Sequence, residues 1–358
     1  MTTSLPTRRR TRRTNRISQP KGRPLFSLNL IQTLIVLTIG LAVPPSSRAE
    51  IVTDTSSPVV DIIPLAPPGG GGPIGIAASP NGKEVYVADT PDSTIAVINA
   101  TTHLVSAFIP TMADPYGVAV SPDGGTLYVT DDTDGLEVFS LPTGELVSSL
   151  TLPSGAELPG VSPDGSILYV PVADGTIVAI DYLGNIGTIP TGGSPTQVVF
   201  NRSGTEAYVS DFINNDVFVI NTATNAVSTI TTSAATIGLA IEGTKLYATG
   251  KSGSVYLIDT ATKQVTATIN VPNPAGAELG LPALTEGGNF LYVPVLQFGG
   301  MTGNGQSLVV INTKTKKIEG QPIQVGLTPF QIVTAVGGKF GFLTTATTGA
   351  VDVIKLLK

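Results

Sequence analysis

The chain has 358 residues, of which 41% are hydrophobic and only 13% are charged, while Gly (40) and Pro (28) are abundant. Few charges combined with many turn-forming residues favour many short strands over helices. The absence of cysteine excludes both a disulfide framework and a thiolate metal site. Residues 50–358 hold 11 Lys and Arg against all 26 Asp and Glu, a net charge of −15 (11 minus 26). We therefore expect no nucleic-acid binding by this part, because it repels phosphate.

The first 49 residues have the pattern of an export signal. They carry nine Lys and Arg and no acidic residue, and an apolar run at 34–43 follows the basic cluster. Ser47-Arg48-Ala49 has the small-x-small pattern of a cleavage site, so we predict a signal peptide over 1–49 and a short linker over 50–57. The protein would then be exported to the periplasm, the extracellular space or the cell surface. An uncleaved membrane anchor stays open, although the apolar run is short for a bilayer span.

A repeat occupies the rest of the chain. An aromatic residue opens a short strand in seven places, 39 to 50 residues apart, and a glycine stands four positions before each. Every copy contains four strand-like segments joined by turns such as Ser121-Pro122-Asp123-Gly124, in which Pro presets φ and Gly accepts a positive φ. This pattern predicts an all-β fold, a seven-bladed β-propeller with four-stranded antiparallel blades. The seven aromatic residues are Tyr86, Tyr128, Tyr169, Tyr208, Tyr247, Tyr292 and Phe342.

The two ends of the repeat region complement each other. The last copy contains only three strand-like segments, and a strand-like segment at 59–63 precedes the first complete copy. We expect this N-terminal strand to complete the last blade, because the ring then has no open edge. Residues 58–358 would form one domain.

The repeat resembles a known family. Residues 116–124, followed by Leu127-Tyr128-Val129-Thr130, resemble the YVTN-type β-propeller repeat, as do residues 211–224. The resemblance covers residues 58–358. It implies a seven-bladed propeller that is exported or surface-located in bacteria or archaea, similar to surface-layer proteins and to propellers of quinoprotein amine dehydrogenases. It implies no mechanism.

Three features that suggest chemistry have simpler interpretations. Residues 70–75 satisfy GxGxxG, but no strand–helix unit surrounds them. Residues 131–135 resemble a calcium loop but lack EF-hand spacing, so we interpret them as a turn between strands. His103, the only histidine, lies in a turn before a fourth strand, where we expect it to be exposed and remote from the channel mouth. The case for a Ser-His-Asp triad is therefore weak.

One pair of carboxylates forms the candidate site. Glu157 and Glu278 lie in matching Gly-Ala-Glu-Leu segments three blades apart, hence nearly opposite across the channel, beside an insertion at 296–306. Two facing carboxylates would hold a small polar ligand or a divalent cation, calcium or magnesium. The alternative is a local duplication with solvated carboxylates. Tyr116 and Phe330, each after a proline, would add apolar contact at the rim or pack between blades.

These features favour a binding or scaffold module over an enzyme. Its partner would be a protein or a small polar ligand at the upper end of the channel, with no evident cofactor apart from the divalent cation. Membrane contact would involve only the N-terminal segment. The alternative is a metal-dependent hydrolase or lyase of lactonase-like type, with its site at the top of the central channel.

Overall fold

The computed structural model describes residues 57–65, 72–131, 133, 135–153, 155–272, 277–296 and 306–358. The predicted signal peptide with its cleavage site, and residues 297–305 of the insertion, lie outside this part. The described residues include no helix with the length and hydrophobicity of a membrane span.

Seven antiparallel sheets form the blades of a β-propeller, which confirms the predicted fold class. Strand β1 (Val59–Pro64) precedes blade 1, which contains β2 (Pro73–Ala78), β3 (Glu84–Asp89), β4 (Thr94–Asn99) and β5 (Leu104–Pro110). Blade 2 contains β6 (Pro115–Val120), β7 (Thr126–Asp131), β8 (Gly135–Ser140) and β9 (Glu145–Thr151). Blade 3 contains β10 (Gly160–Val161), β11 (Ile167–Val172), β12 (Thr176–Asp181) and β13 (Ile186–Pro190).

The remaining blades follow the same order. Blade 4 contains β14 (Pro195–Phe200), β15 (Glu206–Asp211), β16 (Asp216–Asn221) and β17 (Val227–Thr231). Blade 5 contains β18 (Thr236–Glu242), β19 (Lys245–Gly250), β20 (Ser254–Asp259) and β21 (Gln264–Asn270). Blade 6 contains β22 (Glu278–Leu279), β23 (Ala283–Leu284), β24 (Phe290–Leu296), β25 (Ser307–Asn312), β26 (Lys317–Ile318) and β27 (Ile323–Gln324). Blade 7 contains β28 (Pro329–Ala335), β29 (Phe340–Thr345) and β30 (Ala350–Lys355).

The antiparallel order gives the ring two different faces. The first strands of neighbouring blades approach one another around a central channel. Turns between strands one and two and between strands three and four lie on one face, here called the lower face. Loops between strands two and three, and the connections between blades, lie on the opposite, upper face.

The N-terminal strand closes the ring as predicted. β1 pairs with β30, so that blade 7 has the order β1-β30-β29-β28, and Ile63 lies opposite Val351. Ile63 packs in one cluster with Phe342 of blade 7 and with Val85 and Val87 of blade 1. The strand therefore covers both the open sheet edge and part of an interface between blades.

Both faces of each blade are buried against neighbours, which explains the hydrophobic strands. In β3, Val85 and Val87 pack towards blade 7, whereas Tyr86 and Ala88 pack towards blade 2. Successive side chains of a strand point to opposite faces of its sheet, so a fully buried blade needs apolar residues at consecutive positions. Tyr86 is one of the seven repeated aromatic residues, and its ring belongs to the interface between blades 1 and 2.

The repeated glycines also belong to interfaces between blades. All seven have positive φ values, which other residues adopt at a cost. At Gly82 an added Cβ would lie 2.9 Å from the backbone nitrogen of Val336, and at Gly288 it would lie 2.9 Å from Cγ of Glu242. In six of the seven copies, the atom nearest to such an added Cβ belongs to the turn between strands one and two of the preceding blade. Only an added Cβ at Gly243 would meet open space. The glycine thus permits both the turn and the close approach of adjacent blades.

In several copies of the repeat, strand two contains an aromatic residue, an aliphatic residue and then a threonine or serine. The hydroxyl group of this third residue forms hydrogen bonds that join successive blades. Thr130 Oγ1 accepts a hydrogen bond from the Gly117 N–H (3.1 Å) and donates to the Glu157 carbonyl of the next blade connection (2.8 Å). Thr344 donates in the same way to the Ile74 carbonyl, which links blade 7 to blade 1. The Thr of the Tyr-Val-Thr sequence therefore has a structural role in the ring.

Candidate functional site

The two matching Gly-Ala-Glu-Leu segments do not occupy equivalent positions in the ring. In blade 3 the Glu157 N–H donates to the Pro171 carbonyl, whereas in blade 6 the Gly280 N–H donates to the Pro294 carbonyl. Pro171 and Pro294 stand at the same place in their repeats, so Gly280 is the structural counterpart of Glu157. Glu278 is displaced two residues outwards along the connection.

A second pair of contacts gives the same register. Leu158 forms an isolated parallel bridge with Gln197 of the next blade, and Leu281 forms the corresponding bridge with Gln331. Leu158 and Leu281 are therefore equivalent, although the sequence strings align Leu158 with Leu279. The similarity of the two Gly-Ala-Glu-Leu segments does not reveal this two-residue shift, because strand register depends on pairing across the sheet.

Glu157 lies in an apolar environment. Its side chain is 3% exposed, and the Tyr116 hydroxyl donates a hydrogen bond to it. Burial raises the pKa of Glu157 to about 8, and the Tyr116 hydrogen bond opposes that rise. Burial also raises the pKa of Tyr116, so the hydroxyl keeps its proton and acts as the donor. At neutral pH the Glu157 carboxyl is mainly protonated.

Glu278 has a different partner. Its Oε1 lies 3.7 Å from Nζ of Lys251, and the same Nζ lies 3.7 Å from the ring centroid of Phe212. Burial raises the pKa of Glu278, and the charge of Lys251 opposes the rise. The two glutamates thus have separate partners. No group of three or more His, Asp or Glu residues suited to a metal occurs in the described part of the chain. A divalent cation between Glu157 and Glu278 stays a prediction.

Tyr116 and Phe330 come together at the upper end of the channel. Each is 5% exposed, and both belong to a buried cluster with residues from the inner strands and connections of other blades. The other members of the cluster are Ile74, Leu158, Ile237, Leu281 and Leu296. Since the first strands begin on the upper face, this cluster fills that end of the channel with apolar side chains.

A cavity of about 640 Å³ occupies the lower end of the channel. It is lined by the inner strands and turns of blades 1, 4, 5, 6 and 7. Gln197 and Gln331 of the inner strands line it, and so do Glu242, the last residue of β18, and Glu286 in the turn after β23. This cavity is on the face opposite to the one where we predicted the ligand.

Charge is distributed unequally between the two faces. Eleven carboxyl groups of the described residues lie nearer the upper face, with Lys251 as the only Lys or Arg there. Another eleven carboxyl groups lie nearer the lower face with ten Lys and Arg. The upper carboxyl groups are those of Asp89, Asp92, Asp114, Asp131, Glu137, Glu157, Asp174, Asp211, Asp216, Glu278 and Asp352. The lower cations are Lys83, Arg202, Lys245, Lys263, Lys314, Lys316, Lys317, Lys339, Lys355 and Lys358.

His103 is on the lower face but is not exposed as expected. Its side chain is 14% exposed, and Nδ1 lies 3.2 Å from Oδ2 of Asp61 in the closing strand. The imidazole packs edge-on against Phe340 at 5.0 Å between ring centroids. The expectation of exposure was wrong because the closing blade, assembled from both ends of the chain, covers this turn.

The segment that resembles a calcium loop closes on itself. Asp131 accepts hydrogen bonds from the N–H and hydroxyl of Thr133 and from the Gly135 N–H. Asp132 and Asp134 lie outside the described residues, as do Gly69, Gly70 and Gly71 of the glycine run. These contacts are those of a turn between strands two and three.

Asp89 is a buried carboxylate that sequence reasoning missed. It is the last residue of strand two, as Asp131 and Asp211 are in blades 2 and 4, but neither of its oxygens has a hydrogen-bond partner among the described residues. Burial raises its pKa to about 7, with a smaller contribution from the charge of Asp92. The following residues form a 3-10 turn, Thr90–Asp92, whose Pro91 has no N–H to donate. The sequence does contain a signal for this position, because Asp follows Tyr-Val-Ala, Tyr-Val-Thr and Tyr-Val-Ser in three copies of the repeat.

Comparison with known proteins identifies the fold and no closer class. No family model matches the chain, so the resemblance to YVTN-type repeats is not confirmed, and no curated protein matches it. Of solved structures, 1881 chains match, so the fold is shared widely. One of them, from Kuenenia stuttgartiensis hydrazine synthase, has a TM-score of 0.70 and 18% identity, covering 86% of this chain and 99% of that chain. At this identity the similarity shows the fold alone, and function has to be argued from the site.

Proposed function

We propose that this protein is an exported binding module whose upper face receives a basic surface of a partner protein. The observation that carries the proposal is the unequal distribution of charge. Within the described part of the chain, Lys251 is the only Lys or Arg near the upper face, and it already contacts Glu278 and Phe212. The exposed carboxylates of that face have no cation beside them among the residues that the structure describes.

Exposed groups on the upper face fit such a partner. Asp92, Asp114 and Asp174 are exposed in loops or connections of blades 1 to 3. Met112 and Ile213, 73% and 59% exposed, lie on the same face. Carboxylates of one sign attract a basic partner and orient its approach, and apolar side chains between them supply contact area on docking.

The geometry supports binding better than hydrolysis. A lactonase-like site would need substrate at the upper end of the channel, which the apolar cluster around Tyr116 and Phe330 fills. Glu157 is buried there in a mainly protonated form, which is poorly suited to holding a divalent cation at neutral pH. Export rests on the sequence of residues 1–49 and belongs to the proposal.

The test compares neutralised carboxylates on the two faces. One triple variant carries Asp92→Asn, Asp114→Asn and Asp174→Asn, and its lower-face control carries Glu84→Gln, Glu145→Gln and Glu319→Gln. All six residues are exposed, and both variants lose three charges. Binding of a lysine-rich peptide is measured by calorimetry at several salt concentrations. We expect the upper-face variant to bind about tenfold more weakly, since each exposed pair contributes about 0.2–1 kcal/mol, and the control to bind as the parent does.

Equal weakening of binding in the two variants would mean that the attraction is a property of the net charge alone. Absence of binding by the parent at low salt would also refute the proposal.

A further inference from the structure

The cavity at the lower end of the channel has the structure of a small-molecule site. Its volume of about 640 Å³ lies within the range of ligand pockets, which is about 300–1,000 Å³. The apolar cluster at the upper end lies directly above it, because Phe330 of the cluster precedes Gln331 of the cavity wall. A ligand would enter from the lower face, which separates this site from the upper surface.

Two glutamines present hydrogen-bond donors inside the cavity. The Leu239 N–H donates to Oε1 of Gln197 (2.6 Å), and the Ile76 N–H donates to Oε1 of Gln331 (3.2 Å). Each amide is therefore oriented by the inner strand of the next blade. Each oxygen thus already accepts one backbone hydrogen bond, and the amide N–H groups remain to donate to a hydrogen-bond acceptor of a ligand.

The charged groups of the cavity are all carboxylates. Glu242 and Glu286 line its rim, and no Lys, Arg or His is among the lining residues, although ten of the eleven cations of residues 50–358 lie near this face. Glu242 packs over Gly288 and Glu286 packs over Gly338, each a turn glycine of the following blade. These contacts hold the two carboxylates beside the opening. An anionic ligand would find no counterion there, whereas an ammonium group would find two.

We propose that the lower cavity binds a small organic ammonium compound that also carries hydrogen-bond acceptors. Its ammonium group lies between Glu242 and Glu286, and its hydroxyl or carbonyl oxygens accept from the amides of Gln197 and Gln331. The apolar walls, including Val199, Leu239 and Ile332, contact its carbon skeleton. The cavity has room for a molecule of monosaccharide size.

The test uses matched probes with and without a charged amine. Glucosamine and ethanolamine are each compared with their neutral N-acetyl derivatives, and binding to the purified protein is followed by calorimetry and by the melting temperature. We expect both amines to raise the melting temperature, because a ligand selective for the folded state stabilises it by mass action. The acetylated probes should bind about tenfold more weakly or not at all, because they lack the ammonium group that pairs with Glu242 and Glu286.

Variants locate the site. The double variant Glu242→Gln and Glu286→Gln should lose the response to amines, while Glu145→Gln and Glu319→Gln, on the same face but outside the cavity, should keep it. Equal binding of charged and acetylated probes, or an unchanged response of the Glu242 and Glu286 variant, would overturn the proposal, as would no binding of either amine at about 10 mM. Failure here leaves the upper-face proposal untouched, because its variants and its peptide probe involve other residues.

Discussion

At the scale of single residues, the chain contains its own comparison for a buried carboxylate. Asp211 is fully buried and accepts hydrogen bonds from the N–H groups of Ser194 and Ile213 and from the side chain of Asn214. Asp89 stands at the same position of its repeat and is equally buried, yet it has no such donors in the described part of the chain. A buried aspartate therefore stabilises the fold at position 211 and destabilises it at position 89, because hydrogen bonds offset the desolvation of the carboxylate only at position 211.

We predict that Asp89→Asn stabilises the protein at pH 8. The pKa of Asp89 in the fold, about 7, lies above its ordinary value of 3.8. Between these values the folded state retains a proton that the unfolded state has lost, so the free energy of unfolding falls as pH rises through this window. Removing the titrating group should recover roughly 2–4 kcal/mol at pH 8, several degrees in melting temperature.

Melting curves between pH 4 and pH 8 test this prediction, with Asp211→Asn as the matched control. The control should melt lower than the parent at neutral pH, because its carboxylate loses charge-assisted hydrogen bonds. A parent-like pH dependence in Asp89→Asn would show that Asp89 is compensated by groups outside the described residues.

At the scale of elements, β1 has more influence than its six residues suggest. It pairs with β30 along its length and contributes the buried side chains of Val59 and Ile63. The ion-pair geometry between Asp61 of β1 and His103 of blade 1 also joins it to a neighbouring blade. One short strand therefore stabilises the contact between the first and last repeats.

We predict that deleting residues 50–64 leaves a folded but much less stable or aggregating protein. The deletion exposes the edge of β30 and removes two buried aliphatic side chains, each worth about 1.5–3 kcal/mol. An unpaired strand edge is a template for association with other chains. Calorimetry and size-exclusion chromatography measure both effects. Deletion of residues 50–56, which leaves β1 in place, is the control, and identical behaviour of the two deletions would contradict this role of β1.

At the scale of the whole molecule, the ring brings most Lys and Arg residues to the lower face, although they are spread along the sequence among acidic residues. Acidic residues occur in nearly every loop of either kind, but Lys and Arg are concentrated in turns between strands one and two and between strands three and four. Antiparallel blades bring all of these turns to the lower face. Among the described residues, the upper face consequently holds eleven carboxyl groups and a single cation, Lys251, a separation that an average over the sequence does not reveal.

We predict that salt stabilises this protein and that the upper face accounts for most of the effect. Raising ionic strength from about 10 mM to about 150 mM shortens the screening length from roughly 30 Å to roughly 8 Å, which weakens repulsion among carboxylates. The melting temperature should rise over this range. The rise should be smaller in the variant with Asp92, Asp114 and Asp174 changed to Asn than in the variant with Glu84, Glu145 and Glu319 changed to Gln. A flat response of the parent would contradict the prediction.

The local sequence determined the fold class, the number of blades and the closing strand. These follow from short-range chemistry repeated seven times: glycines with positive φ in the turns, paired aromatic and aliphatic residues in strand two, and a missing fourth strand matched by an orphan strand at the start. Such features act within a few residues of one another, so their meaning does not depend on distant contacts.

Only the tertiary structure decided what lies at the two ends of the channel. The register of Glu157 and Glu278 depends on pairing with Pro171 and Pro294, a choice that two similar strings do not reveal. The apolar cluster around Tyr116, the cavity beside Gln331 and the separation of charge all arise where residues from several blades converge. Their positions are determined by closure of the ring, which brings together groups far apart in sequence, and no local pattern specifies distances of that kind.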